Sequence, residues 1–415
     1  MRNGEIREVF MKPQNISVNH APGEAYQLKY RFWQGCPSIL RTPGGRLFAA
    51  WYSGGTGEPS EENYNLLIRS NDDGWTWQKP ELVIPSEPDS GFLVIDIQLW
   101  LDPLNRMWLF VVQRRIGGER LQSDPDHLAT WALVCDDPDA EKLRWSEPRI
   151  VSQGFLRNQP VALSNGDWVM CAYDWSSPNY RYSRSSDQGE TWIRCEAGRK
   201  MGIVFEETMI LERKDHTLLL FARDNNPLLV RSIGADPAGS SWTPGEYLPV
   251  LNANSRFFLR RLKSGRILLI HNNAVTHRTN LCARLSEDEG ETWKYSLLLD
   301  TAPTPEQNVS YPDAVQADDG RIFIIYDCGR TTFKEIRMAQ ITEEDIIRGS
   351  LVDYDSYLAR IISKAPGKPY DPVLYEQKKS RRDIWFKTVF LRLVRDQLDK
   401  KAETEKQNML KVLTF

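Results

Sequence analysis

The chain has 415 residues, 41% of them hydrophobic and 11% aromatic, which is ordinary for a globular protein and enough to bury a substantial core. A formal charge of −3 and an isoelectric point near 6.1 leave no basic footprint for nucleic acid, and no apolar run is long enough to span a membrane, so neither partner is expected. Five histidines and six cysteines fall without metal-ligand spacing, so no metal or other cofactor is expected and the cysteines read as reduced core thiols.

In chain order, the first ten residues, Met1 to Phe10, lack the apolar stretch of a secretory signal, and the expectation is a cytoplasmic protein. An eight-residue phrase, Ser-x-Asp-x-Gly-x-Thr-Trp, then appears at Ser70 to Trp77 and returns at Ser185 to Trp192 and Ser286 to Trp293. Asp and Gly together specify a tight turn, because the Asp side chain bonds nearby backbone amides and the Gly tolerates positive φ. Around the third copy, 281–285 and 294–299 read as strands, so the phrase sits at a hairpin and its Trp plugs the turn against the sheet.

Eroded versions around Trp145 and Trp242 fill the gaps, and from Trp145 onward the marks fall about fifty residues apart. That period, filled with short β-rich segments and turn residues, matches a propeller blade of four antiparallel strands. Blades are expected near 30–80, 90–150, 155–195, 200–245, 255–298 and 308–342, with six the natural count. The expected fold is all-β: a six-bladed propeller over 1–345, then a C-terminal extension over 346–415. Thr342-Glu343-Glu344-Asp345 reads as a helix start, 350–372 as loop, and 380–412 as a helical tail packed on the propeller or against a partner.

These phrases resemble the Asp boxes of the sialidase (neuraminidase) superfamily, which mark the outer turns of a six-bladed propeller, and the resemblance covers roughly residues 30–342. It implies a glycan-active enzyme, an exo-acting glycosidase that removes a terminal acidic sugar from an oligosaccharide. The adjacent Glu206 and Glu207, followed sixteen residues after Glu207 by Arg223, resemble the pairing of the superfamily's active-site Glu with a carboxylate-binding Arg. Arg278, just upstream of the third box, matches another Arg of that clamp. Tyr311, thirty-three residues beyond Arg278, matches the nucleophile. A phenol with a pKa of about 10 is a poor nucleophile and needs a base in contact, a role open to Glu206 or Glu207.

In the first blade the pattern departs. Where the superfamily has Arg-Ile-Pro, this chain reads Gln34-Gly35-Cys36-Pro37, so Gly35 stands in place of the first clamp Arg. Each charged hydrogen bond to a substrate carboxylate contributes roughly 1.5–3 kcal/mol, so another cation is required, and Arg31, Arg256 and Arg330 are the candidates. The loop that carries the superfamily's acid here offers Glu58, Glu61 or Glu62. Gln34, Asp96 and the Arg157-Asn158-Gln159 run stand at polar, repeat-related places suited to sugar hydroxyls. The leading reading is hydrolysis through Tyr311 and its Glu. β-Elimination on a uronate glycan, or carbohydrate binding without turnover, stays open.

Overall fold

The computed structural model describes residues 16–115, 128–174, 177–202, 205–302, 304 and 307–366. Six sheets of four antiparallel strands follow one another along the chain. Blade one comprises Gln34–Arg41, Leu47–Gly54, Asn63–Ser70 and Leu82–Pro85; blade two comprises Phe92–Leu101, Met107–Arg115, Leu128–Cys135 and Arg149–Gln153. In blade three, Val161–Ala162, Trp168–Met170, Asn179–Ser185 and Ile193–Arg199 are joined by a short pair, Phe155–Leu156 with Ala172–Tyr173. Blade four is Met209–Glu212, Leu218–Ala222, Leu228–Gly234 and Glu246–Leu251; blade five is Phe258–Arg261, Ile267–Asn272, Asn280–Ser286 and Tyr295–Thr301. Blade six is Val309–Gln316, Ile322–Cys328, Glu335–Ile341 and Tyr357–Lys364.

The apolar core lies between the blades, because each sheet is buried on both faces and must pack against two neighbours. Leu67, Leu82, Leu99 and Leu109 fill the space between blades one and two, and Ile39, Leu66, Phe323 and Met338 that between blades one and six. Strand runs such as Leu47–Gly54, buried throughout, follow from that two-sided packing.

All three boxes occupy the turn from third to fourth strand. In the third, Asp288 accepts from the Thr292 amide at 2.8 Å, the Thr292 hydroxyl at 2.5 Å and the Ser286 hydroxyl at 2.8 Å. Its Gly290 has φ +87°, as the turn requires. The eroded copy in blade four keeps two of these three, with Asp236 accepting from the Ser240 amide and hydroxyl before Trp242.

Blade six has a helix at the corresponding place. Glu343–Arg348 is capped by Thr342, whose side chain accepts from the Asp345 amide while Asp345 returns a bond to the Thr342 amide. The helix start is where the sequence puts it, but the propeller does not end there. Tyr357–Lys364 pairs with Glu335–Ile341 and completes the sheet, so the blade runs past 345 into residues expected to be loop. The expected helical tail over 380–412 lies outside the described residues. The six cysteines are unpaired, and all but Cys195 are buried.

Candidate active site

Strands alternate in direction, so the starts of first strands and the loops between second and third strands share one end of the propeller axis. The boxes lie at the other end. At the first end the innermost strands, or the segments leading into them, are kinked: Cys36, Asp96, Glu207, Asn254 and Tyr311 have φ of +53°, +39°, +38°, +46° and +56°. In blades one, two and six the kink coincides with a register shift, between Gly35 and Ser38, Ile95 and Ile97, and Ser310 and Asp313. Such bulges re-aim side chains, and each left-handed non-glycine residue costs about 1–3 kcal/mol. Strain repeated at equivalent places in five blades turns these residues toward one mouth.

Tyr311 stands at the centre. Its buried hydroxyl donates to Glu207 Oε1 at 2.9 Å and accepts from Arg223 Nη1 at 3.1 Å. Arg223 Nη1 also reaches Glu207 Oε2 at 2.6 Å. Around the phenol ring, the guanidinium carbons of Arg330, Arg278, Arg157 and Arg256 lie 4.0, 5.2, 5.7 and 5.9 Å from its centroid. Burial raises the Tyr311 phenol above its ordinary range and Glu207 adds to this, against the lowering effect of Arg223 and Arg278. Burial would likewise raise Glu207, but Arg223 and Arg157 outweigh it and hold the carboxyl below its ordinary range. The resting pair is therefore a neutral phenol hydrogen-bonded to a carboxylate, the arrangement from which a proton can move to Glu207 as the oxygen attacks.

The surrounding cations are fixed from several blades. Asn254 holds two of them: its side chain accepts from Arg223 Nε at 2.7 Å and its backbone carbonyl from Arg278 Nη2 at 2.9 Å. Arg157 pairs with Asp96 and approaches Glu207 at 3.8 Å. Burial pushes Asp96 up to about 6 against the pull of Arg157, with Glu58 and Glu207 adding to the rise. Arg330 donates to Asp327 from Nε at 2.8 Å and to Glu58 from Nη1 at 2.6 Å. Burial lowers Arg278, with Arg223 and Arg330 beside it, so an incoming anion would relieve mutual repulsion of the cations.

Of the residues singled out by sequence, Tyr311, Glu207, Arg223, Arg278, Arg330, Asp96 and Glu58 converge here. Others go elsewhere. Glu206 pairs with Lys200 at 2.5 Å, and burial pushes it up to about 7; it makes none of Tyr311's hydrogen bonds. Glu206 and Glu207 lie in the segment leading into Met209–Glu212, where the left-handed backbone at Glu207 accompanies a divergence of the side chains, Glu207 to Tyr311 and Glu206 to Lys200. Gln34 is fully buried in the seam between blades one and six, donating to the Lys334 carbonyl at 2.6 Å and accepting from Ser363 at 3.1 Å, so it is not available to a sugar. Glu61 and Glu62 are exposed and make none of the cluster's hydrogen bonds. Arg256 is buried beside the Tyr311 ring, with Nη2 donating to the Pro312 carbonyl at 2.9 Å, and Arg31 packs over Trp51 in blade one. Asn254 is a positioning residue that no motif marked, and Arg157 was legible only as part of a polar run.

A family model described as a BNR repeat-like domain matches residues 45–324. Among curated proteins, an anhydrosialidase from Macrobdella decora is 24% identical over 222 residues, which is 49% of this chain and 28% of that protein. The chain thus spans little more than a quarter of the length of this relative. Among solved structures, a Hadza microbial sialidase superposes with a TM-score of 0.61 at 19% identity, covering 76% of this chain and 66% of that one. A leech intramolecular trans-sialidase bound to 2,7-anhydro-Neu5Ac gives 0.62 at 15% identity, covering 82% and 72%. The intramolecular trans-sialidase of Ruminococcus gnavus, bound to oseltamivir carboxylate, gives 0.60 at 16% identity, covering 78% and 97%. At such identities these structures share the fold.

Proposed function

The chain belongs to the BNR repeat-like domain family and has the six-bladed propeller of the sialidases, and on that premise we propose that it is an exo-glycosidase that releases a terminal acidic sugar from an oligosaccharide. The observation that carries this is the Tyr311 hydroxyl, held between Glu207 and Arg223 within a ring of guanidinium groups. Arg223 and Arg278 bind the sugar carboxylate. Tyr311 attacks the anomeric carbon while its proton passes to Glu207. The glycosidic bond breaks, and Glu58 protonates the departing oxygen. In the second half, the Glu58 carboxylate takes a proton from water, the water oxygen displaces the tyrosine oxygen from the sugar, and Glu207 returns its proton to the phenolate. The product keeps the starting anomeric configuration, in a scheme where Tyr takes the place of the usual nucleophilic carboxylate.

Turnover of a panel of aryl sialosides, aryl uronides and acidic oligosaccharides by the wild type beside Tyr311→Phe tests this, with released sugar and ultraviolet absorbance followed together. Sugar release by the wild type that is lost in the variant is the expected result. Growth of absorbance from an unsaturated uronate, or sugar binding with no turnover across the panel, would overturn it.

A further inference from the structure

Gly35 has an ordinary negative-φ backbone, so its lack of a side chain answers a need for space. A Cβ built there would stand 2.8 Å from Cδ, 2.9 Å from Nε and 3.0 Å from Cγ of Arg330, which reaches in from the loop after the second strand of blade six. These atoms belong to the stem and to the nitrogen bonded to Asp327, so they cannot swing aside as the tip of a flexible chain would. Asp327 Oδ2 receives both Arg330 Nε at 2.8 Å and the Cys36 amide at 2.9 Å, while Asp327 Oδ1 receives the Ser310 hydroxyl at 2.7 Å. One buried carboxylate thus locks the backbone beside Gly35, the strand of Tyr311 and the arginine into one register.

Two of the guanidinium nitrogens are engaged, Nε with Asp327 and Nη1 with Glu58. Nη2 is buried and has no hydrogen-bond partner among the described residues, although the guanidinium lies 4.0 Å over the face of the proposed nucleophile. A buried donor on a charged group costs stability when left unmade, so a rigidly held arginine with one such donor beside Tyr311 is suited to a ligand's anionic oxygen.

We propose that Gly35 and Arg330 act as one unit, in which the glycine leaves open the volume through which an arginine from the sixth blade reaches the mouth, and Arg330 Nη2 binds the substrate carboxylate. The inference rests on the acidic-sugar reading of the site. It makes position 35 a determinant of acid recognition through what it leaves out. Any side chain there would displace the cation without removing a charge.

The test is the affinity of the full chain for N-acetylneuraminic acid and for D-glucuronic acid, each beside its methyl ester, measured by calorimetry for wild type, Arg330→Gln, Arg330→Lys and Gly35→Ala, with melting temperatures. Wild type should prefer at least one acid over its ester. Arg330→Gln and Gly35→Ala should each cut that preference tenfold or more while ester binding stays within twofold, and Arg330→Lys should keep part of it. Where Arg330→Gln fails to fold, the ratio is read from the other two variants. A wild type that prefers acid and variants that keep the same acid-to-ester ratio would overturn this inference alone, since an arginine with only a structural role would weaken both ligands alike. A wild type that does not distinguish any acid from its ester would instead sink the acidic-sugar reading and this inference with it.

Discussion

Across the seam where the sixth blade meets the first, Asp313 Oδ2 accepts the hydroxyl of Ser38 at 2.6 Å, two residues along the strand from Tyr311. The same carboxylate takes Gln98 at 2.8 Å from blade two and Gln159 at 3.1 Å from blade three, and Arg256 of the segment leading into blade five stands 3.8 Å away. It is a hub that ties the first three blades to the sixth, two residues from the proposed nucleophile.

Removing that hub strands a buried Arg256 and four donors, the Ile39 amide at 3.1 Å being the fourth. Asp313→Ala should therefore cost about 3–5 kcal/mol of stability, while Ser38→Ala, which removes one donor to Asp313 and the acceptor of Gln98 and of the Leu99 amide, should cost less, about 1–3 kcal/mol. Denaturant unfolding of the two variants checks the order; equal costs would mean that the network does not act through Asp313.

Glu207 is held below its ordinary range, so it remains a carboxylate, and thus a base, down to below pH 4.5. Glu207→Gln should lower kcat by about 10²–10⁴ at every pH between 5 and 8, the usual range for loss of a general base. A deficit that appears only at one end of that range would assign the proton transfer to another group.

Asp96, pushed up to about 6, gives the site a pH response in binding. Below that pH it is neutral, so one negative charge beside Arg157 disappears and the mouth becomes more attractive to anions. Affinity for an acidic sugar should rise as pH falls from 7 to 5, and Asp96→Asn should flatten the rise. Binding curves at three pH values decide it.

His271 is buried, with Nδ1 donating to the Leu251 carbonyl at 2.7 Å, and burial together with Arg284 lowers it to about 3. The folded state thus binds its proton less readily than the unfolded chain, whose imidazole titrates at about 6.5. Its contribution to stability is full above pH 6.5 and is lost as pH falls toward 3, at up to about 1.4 kcal/mol per pH unit. In His271→Gln the slope of unfolding free energy between pH 6 and 4 should be smaller by that amount, whatever the variant's stability at neutral pH. An unchanged slope would show that the histidine does not govern acid sensitivity here.

The boxes, being at the opposite end from the site, should be separable from chemistry. Asp288→Ala deletes an acceptor of three hydrogen bonds and should cost about 1–3 kcal/mol, with kcat/KM for any substrate found left within twofold. Comparing thermal midpoint and turnover on one preparation tests the separation.

How legible all this was depends on whether the cause was local. A Ser-x-Asp-x-Gly-x-Thr-Trp phrase forms its own turn, so three copies revealed the blade period, and the Thr342 cap revealed its helix. The strand Tyr357–Lys364 was hidden because its pairing partner, Glu335–Ile341, lies across an inserted helix and an irregular stretch. At the site, Tyr311, Arg223, Arg278 and the Glu206–Glu207 pair were readable from their match to the superfamily's pattern. Which of two adjacent glutamates reaches the phenol depends on the backbone turn at Glu207, φ +38°, just ahead of the strand, which a motif match does not encode. Asn254 and the fit of Arg330 against Gly35 are products of packing between blades distant in sequence.

The pairing of Gln34 with Ser363 has a mechanical corollary. Among the described residues each sheet takes its four strands from one consecutive stretch of chain, and no strand crosses from one end of the ring to complete the other. Side-chain bonds fasten the join, among them Gln34 to the Lys334 carbonyl at 2.6 Å and Ser38 to Asp313. Pulled from residues 34 and 364, the ring should part at this clasp before any blade unravels, and a force trace whose first event releases a blade's length of chain would show otherwise. The proposed nucleophile and the arginine over it both belong to the sixth blade, on one jaw of the clasp. Tension that opens the ring would therefore carry them away from the glycine-bearing edge of blade one and disarm the site while every sheet is still intact.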